Sequence, residues 1–394
     1  MFSVPIRPVR VIRVSLEHSW AVTLEYGFHM EGERFMATHK VRVGVAGAGF
    51  VTARGHIPAY KRLPNVSVEA ICDLNRERAQ AVATQFDIPH VFTDYEEMLA
   101  KVELDLVSVG TPNRFHAPHT IAALEKGSHV LCEKPMALTS DEARAMAEAA
   151  RRNKRKLTLG LHFRYRAETL VLKPMIDAGE LGEIYYARAT MMRRAGIPGY
   201  GSHFTNKDLA GGGCLYDIGV HVLDWTLYFM GHPEPIAVSG KTFAEFGPRR
   251  QKLGGWGADI LPGPARFDVD DLAVAIVKFA NGAVLFLEAA WAYHGRAEER
   301  VQLAGRAGGA EIYPTLLGQA TALRVYKDWG DRPLDITPEI PRFEVGQQAR
   351  QIEDFVNHLD DDQPPVVTPE QGVIVTRILE GIYRSAETGE EVKV

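Results

Sequence analysis

Cysteine is scarce in this chain of 394 residues. There are three, Cys72, Cys132 and Cys214, and no two of them share a C-x-x-C spacing. That excludes a disulfide framework and a zinc-ligand pattern, and no metal is expected. Each sits in an apolar stretch and reads as a buried free thiol of a reducing compartment, here taken as the cytoplasm. Long hydrophobic runs are missing too, since none reaches the roughly 18 apolar residues needed to cross a membrane. Nor is one charge sign dominant. The 45 Lys and Arg against 50 Asp and Glu leave a net charge of −5, which argues against nucleic acid or an anionic membrane as partner. The basic run Arg151-Arg152-Asn153-Lys154-Arg155-Lys156 reads as a solvated helix end. There is no internal repeat and no long low-complexity segment.

What is present is ordinary globular composition, 46% hydrophobic and 24% charged, in a chain long enough for two domains. Residues 1–39 stand apart. Arg7, Arg10 and Arg13 punctuate short apolar pieces, and neither a continuous apolar centre nor a cleavage site is clear. Met36 is read as the biological start and the preceding segment as an over-extended translation, the alternative being a poorly ordered extension.

From residue 41 the pattern alternates. Strands are expected over 41–46, 66–72, 91–92, 104–110, 129–132 and 157–161. Helices fall between them, one opened by the capping chemistry of Thr139-Ser140-Asp141-Glu142. Short apolar strands separated by helices imply a parallel sheet covered on both faces, hence a doubly wound α/β domain over residues 40–164. Beyond it the rhythm changes. Strand-like stretches over 184–193, 272–279, 283–292 and 300–304, two of them joined by Asn281-Gly282, imply an α+β domain over 165–394 with a largely antiparallel open sheet. Closing helices are expected over 347–359 and 369–386, and 247–265 reads as a surface loop.

Gly47-Ala48-Gly49 follows the first strand and precedes a helix, as a dinucleotide clamp requires. Gly47 permits the tight turn, and Gly49 lets the backbone of Ala48, Gly49, Phe50 and Val51 approach a pyrophosphate at the helix N-terminus. The third glycine of the fingerprint is replaced by Thr52. Asp73 ends the second strand about 20 residues on, where a carboxylate accepts from an adenosine ribose. An N-cap is its alternative role. The same charge would repel a 2′-phosphate, which favours NAD, although Arg76 leaves NADP open. Thr111-Pro112-Asn113 follows the fourth strand, and Asn113 is either a cofactor contact or a turn residue near His116.

Glu133-Lys134-Pro135 follows another strand at the same edge. Pro135 biases Lys134 towards an extended backbone and so fixes where its ammonium projects. Further on, Gly211-Gly212-Gly213 precedes Asp217-Ile218-Gly219-Val220-His221. Three glycines argue for close approach to something, and Asp217 and His221, four apart, share a helix face with Asp224 nearby. A histidine there suits a general base for a hydroxyl, and Asp217 either orients substrate or keeps His221 basic.

In this order the motifs resemble the glucose–fructose oxidoreductase / inositol 2-dehydrogenase (Gfo/Idh/MocA) family. The resemblance runs from about residue 41 to the end, Thr52 being the one departure. It implies an N-terminal Rossmann domain and a C-terminal sheet that forms a homo-oligomer interface. It also implies hydride transfer between NAD(P) and a secondary hydroxyl of a sugar or cyclitol. By position it makes Lys134 and His221 the catalytic pair with Asp217 in support. Thr111, Asn113, His116, Glu133 and Arg164, the last from His162-Phe163-Arg164-Tyr165, then join the clamp as cofactor-binding residues. Tyr200, His203 and Trp291 are candidates for substrate hydroxyls or a sugar face, with ordinary packing an equal alternative. A rival activity is an NAD-dependent glycosidase or lyase working through a transient 3-keto sugar. A dinucleotide-binding regulator without catalysis is a third.

Overall fold

The computed structural model describes residues 40–257, 264–313 and 322–394, and the backbone of two short strands nearer the N-terminus, Arg10–Val14 and Val22–Tyr26, which pair antiparallel with each other. The expected start at Met36 and the tip of the 247–265 loop lie outside the described residues.

Six parallel strands form the first sheet, in the spatial order His90–Phe92, Val66–Cys72, Val41–Ala46, Leu106–Val109, His129–Cys132 and Leu157–Leu159. In chain order this is 3-2-1-4-5-6, the doubly wound arrangement. It reverses between Val41–Ala46 and Leu106–Val109, and ligands of such sheets bind beyond the carboxyl ends of the strands at that reversal. Every residue of Leu106–Val109 is buried, which is why the central strands read as continuous apolar runs rather than alternating ones. Helix starts follow local chemistry. Thr139 and Glu142 close a capping box before Ser140–Asn153, and Asp94 accepts the Glu97 N–H at 2.8 Å before Tyr95–Lys101.

The second sheet has nine strands in the order Arg332–Ile336, Ala322–Trp329, Gly309–Tyr313, Glu298–Gly305, Ile184–Met192, Val284–Ala290, Leu272–Phe279, Pro235–Phe243 and Val392–Lys393. All neighbours are antiparallel except Val284–Ala290 against Ile184–Met192. The Asn281-Gly282 turn joins Leu272–Phe279 to Val284–Ala290, with Gly282 at φ 84°. Two of the strands that escaped the sequence reading carry proline. Pro235 opens one, and Pro333 lies in the edge strand Arg332–Ile336, where a missing ladder donor is tolerated. Helix Val220–Met230 is buried on nearly every face and lies against Ile184–Met192.

The chain then returns to its beginning. Helix Gln347–Asn357 inserts Ile352, Phe355 and Val356 among Val41, Val43, Ile57 and Tyr60 of the first module. The two modules therefore share a core, and their relative placement is fixed by packing. Among the described residues no helix is long and apolar enough to cross a membrane. All three cysteines are free and buried.

Candidate active site

The clamp is built as its glycines require. Gly47 has φ 95°, and a Cβ there would lie 2.5 Å from the Gly110 carbonyl oxygen. At Gly49 a Cβ would meet nothing within 4 Å. No protein atom demands that glycine, and the space beside it is open. Thr52, in place of the third glycine, is fully buried. Its hydroxyl donates to the carbonyls of Gly47 and Gly49 at 2.6 and 3.0 Å. Its methyl sits where a Cβ on Gly110 would come within 2.4 Å. The close approach is kept by moving the missing side chain to the neighbouring strand end. The helix from Phe50 winds through a π-type turn at Thr52–His56 before Ile57–Lys61. Its first-turn N–H groups have no intrahelical acceptor.

Asp73 is a hub rather than a cap. The Ala48 N–H donates to it at 2.8 Å, the Asn75 N–H at 2.8 Å, and the Arg78 guanidinium at 2.8, 3.0 and 3.2 Å. Asn75 caps the following helix instead. The arginine at the carboxylate is thus Arg78, not Arg76. Phe50 and Leu74, beside Gly49 and Asp73, are 75% and 86% exposed.

Glu133 is buried beneath the loop that carries Lys134. Burial works to raise its pKa, but the His56 bond, the His56 charge and the Lys134 and His162 charges outweigh it and hold the carboxyl at about 2. His56 Nε2 donates to it at 2.9 Å, and His56 Nδ1 lies 2.7 Å from the Ser108 hydroxyl. The Lys134 N–H donates to Glu133 at 3.1 Å, and the Lys134–Pro135 peptide is cis. His56 and Ser108 went unnoticed in the sequence because nothing in linear spacing ties them to Glu133.

Lys134 joins the modules. Its Nζ donates to the Asp217 carbonyl at 2.7 Å and carboxylate at 2.9 Å. An ammonium has three donors, so one remains for a ligand. The other Asp217 oxygen accepts from Trp291 Nε1 at 2.8 Å. Burial tends to raise the Asp217 pKa, yet Lys134, Trp291 and Arg193 bring it below the ordinary value. His221 stacks on Phe163 at 4.7 Å and 17°. Burial first, then the charges of Lys134, His162, Arg166 and Arg193, push its pKa well below 6.5, so the ring is neutral. Asp217 spends itself on Lys134 and Trp291 and makes no hydrogen bond to His221. It therefore positions the amine rather than the imidazole.

The three glycines also find their object. A Cβ on Gly213 would lie 1.8 Å from the Asp270 carbonyl oxygen, and one on Gly212 would lie 2.0 Å from the Tyr383 hydroxyl. Buried Asp270 accepts from the N–H groups of Gly213 and Leu215 and from Tyr383. The close approach seats the turn before Asp217 and does not by itself make room for substrate.

Several expected ligand contacts are engaged elsewhere. Arg164 is fully buried in the second module. It donates to Asp224 at 2.5 and 3.0 Å, to Gln371 at 2.5 Å and to the Val366 carbonyl at 2.8 Å. It is a structural ion pair, not a cofactor ligand. The ring nitrogens of His116 lie 2.7 and 2.9 Å from the carbonyl oxygens of Pro135 and Thr111. That makes His116 a strut between two loops rather than a cofactor contact. Asn113 donates to the Ala210 carbonyl at 2.8 Å, linking the modules. Thr111 Oγ1 is buried without a partner. Trp291 is 0% exposed beneath Asp217, so it supports the carboxylate and offers no face to a sugar. Tyr200 stacks on Phe267 with Arg250 over its ring, and His203 packs on Phe204. Neither is drawn into the Lys134 cluster by any of these contacts.

Residues 41–161 match the family described as an oxidoreductase family with an NAD-binding Rossmann fold, and residues 169–311 match the GFO/IDH/MocA C-terminal domain. The chain is 35% identical over 363 residues to D-glucoside 3-dehydrogenase of Escherichia coli K12, covering 91% of this chain and 99% of that one. It is 32% identical over 273 residues to levoglucosan dehydrogenase of Pseudarthrobacter phenanthrenivorans, covering 65% of this chain and 69% of that one. A solved levoglucosan dehydrogenase in complex with NADH and L-sorbose superposes with a TM-score of 0.77 at 26% identity, covering 91% of this chain and 99% of that one.

Proposed function

The chain belongs to the Gfo/Idh/MocA family of NAD-dependent oxidoreductases, and from that premise we propose that it oxidises a secondary hydroxyl of a sugar, sugar derivative or cyclitol. One observation carries this reading. An ammonium from the first module, Lys134, is fixed at 2.9 Å by Asp217 of the second, keeps one donor for a ligand, and lies close enough for its charge to act on the neutral imidazole of His221.

Bound NAD would supply the hydride acceptor. The protein supplies the rest. The open space at Gly49 and the first-turn N–H groups of the clamp helix suit a pyrophosphate. Asp73 suits the adenosine ribose, and exposed Phe50 and Leu74 are apolar surface that a nucleotide would cover. His221 takes the hydroxyl proton. The free donor of Lys134 binds the same oxygen and stabilises the charge that builds there, the kind of preorganised interaction that dominates many active sites. Run backwards, His221 returns the proton to a ketone. A sugar is supported by the relatives named D-glucoside 3-dehydrogenase and levoglucosan dehydrogenase. Homo-oligomer formation through the nine-stranded sheet is supported by partly exposed Tyr185, Phe286 and Ile236 on its strands.

The test is turnover of the purified protein with NAD, and separately NADP, on glucosides, anhydro sugars, free aldoses and inositols, followed by NADH absorbance. Free NADH accumulating with a keto product supports the dehydrogenase. Substrate cleavage without net NADH supports the glycosidase or lyase instead, and cofactor binding with no turnover across the panel points to a regulator.

A further inference from the structure

The rings of His162 and His221 lie 5.0 Å apart, centre to centre, at an interplanar angle of 59°. The Nδ1 atom of each is buried and has no hydrogen-bond partner among the described residues. Such orphans are rare in folded proteins, because a buried polar atom without a partner is destabilising. Two of them on neighbouring imidazoles, beside Lys134, call for a common cause. Both atoms are buried, and the polar ring lying next to each is the other imidazole. A neutral imidazole carries one N–H and one lone pair, so either ring can satisfy the other.

The surroundings choose the direction. Phe163 stacks on His221, and the Arg166 guanidinium lies 3.5 Å from the centre of that Phe163 ring. Phe163 covers one face of His221, but no contact decides which of its nitrogens carries the proton. The buried, unpartnered Nδ1 of each ring leaves Nε2 as the nitrogen of His221 that can meet a ligand; a base whose Nε2 lone pair takes the proton carries its own N–H at Nδ1, which makes His162 Nδ1 the acceptor. The charged groups facing the two rings are Lys134, Arg166, Arg193 and, at His162, Glu133.

We propose that His162 is a positioning residue whose Nδ1 accepts the Nδ1–H of His221 after a small rotation of either ring, fixing His221 in the tautomer whose Nε2 lone pair faces the reacting hydroxyl. This rests on the reading of His221 as the base. During oxidation the hydroxyl O–H bond breaks and its proton joins His221 Nε2, while the carbinol hydride goes to the nicotinamide. The imidazolium so formed shares its charge with His162 through the Nδ1–H bond. No further oxidant or reductant is needed. In the opposite direction Nε2–H protonates the carbonyl oxygen as the hydride arrives.

The experiment compares His162→Leu, which removes the acceptor, with His162→Asn, which places a carbonyl oxygen near the position of Nδ1. Sugar oxidation by His162→Leu is expected to lose roughly 10- to 100-fold in kcat with little change in KM. The acid limb of its pH profile should move, and His162→Asn should recover most of the loss. Wild-type turnover and pH profile in His162→Leu overturn the proposal, as does His162→Asn being equally impaired, which would mean that only ring volume matters. Nitrogen NMR of the full-length protein with labelled histidine reads the tautomer without any turnover. A single Nδ1–H form of His221 that becomes a mixture in His162→Leu supports the pairing, and a mixture already present in the wild type rejects it. If His221→Asn keeps full turnover, the base assignment fails, and the NMR result still decides the pairing on its own.

Discussion

Lys134 Nζ is gripped twice by one residue 83 positions away, 2.7 Å from the Asp217 carbonyl and 2.9 Å from its carboxylate. Both side chains are largely shielded from water, so the amine cannot swing out as an ordinary loop lysine does. The geometry predicts that Lys134→Ala lowers kcat roughly 10²- to 10⁴-fold while NADH affinity, followed by fluorescence titration, barely moves. Undiminished turnover in this variant would remove Lys134 from the chemistry.

Asp73 and Arg78 set a second expectation. Replacing Asp73 with Ser removes a carboxylate that accepts from Arg78 and whose charge would repel a 2′-phosphate. The ratio of kcat/KM for NADP over NAD should rise at least about tenfold, equivalent to about 1.4 kcal/mol. Arg78→Ala in the same background should reverse that gain. A ratio that stays put in Asp73→Ser would locate cofactor choice elsewhere.

Arg164 tests the correction made above. With Asp224 it forms a buried pair, both side chains almost fully inaccessible. Breaking such a pair from one side costs about 3–5 kcal/mol, because a charge is left unpaired. Arg164→Ala should therefore lower the denaturation midpoint sharply, yet its folded fraction should bind NADH as the wild type does. A large loss of NADH affinity at unchanged stability would reinstate Arg164 as a cofactor ligand.

The pH dependence of stability has a definite sign. Burial is the leading cause that lowers His119, His129 and His162 to about 4, and it also lowers His116, His221 and His232. Below the ordinary value of 6.5 the unfolded chain binds protons that the folded chain refuses. Stability is therefore complete above pH 6.5 and falls as the pH drops towards 4, each such histidine adding up to about 1.4 kcal/mol per pH unit. Glu133, held at about 2, stays charged in the folded chain and adds its own loss as the pH falls from its ordinary value of 4.5 towards 2. Denaturant titrations at stepped pH should show the decline beginning near neutrality. A flat profile from pH 7 to 5 would contradict it.

Local chemistry was readable where it is local in sequence. Gly47 and Gly49, the Asn281-Gly282 turn, the Thr139–Glu142 box and the apolar strands up to His129–Cys132 all act within a few residues, so spacing alone revealed them. Thr52 looked like a defect because its compensation, Gly110, is far along the chain. Neither the family resemblance that points Arg164 and His116 at the cofactor nor the ring of Trp291 says which way a side chain turns. Their side chains point into the protein, towards Asp224, towards two loop carbonyls and towards Asp217.

The amino-acid order by itself determined the alternation of strands and helices, the glycine turn and the identity of the titrating groups, because each depends on neighbours within a turn or a pleat. Only the folded molecule decided which of those groups meet. Lys134 finds Asp217, His56 finds Glu133, and His162 faces His221 across separations that no periodicity encodes. The physical reason is that a buried charge or imidazole is tuned by whatever packing brings within a few ångströms, and packing is a property of the whole chain.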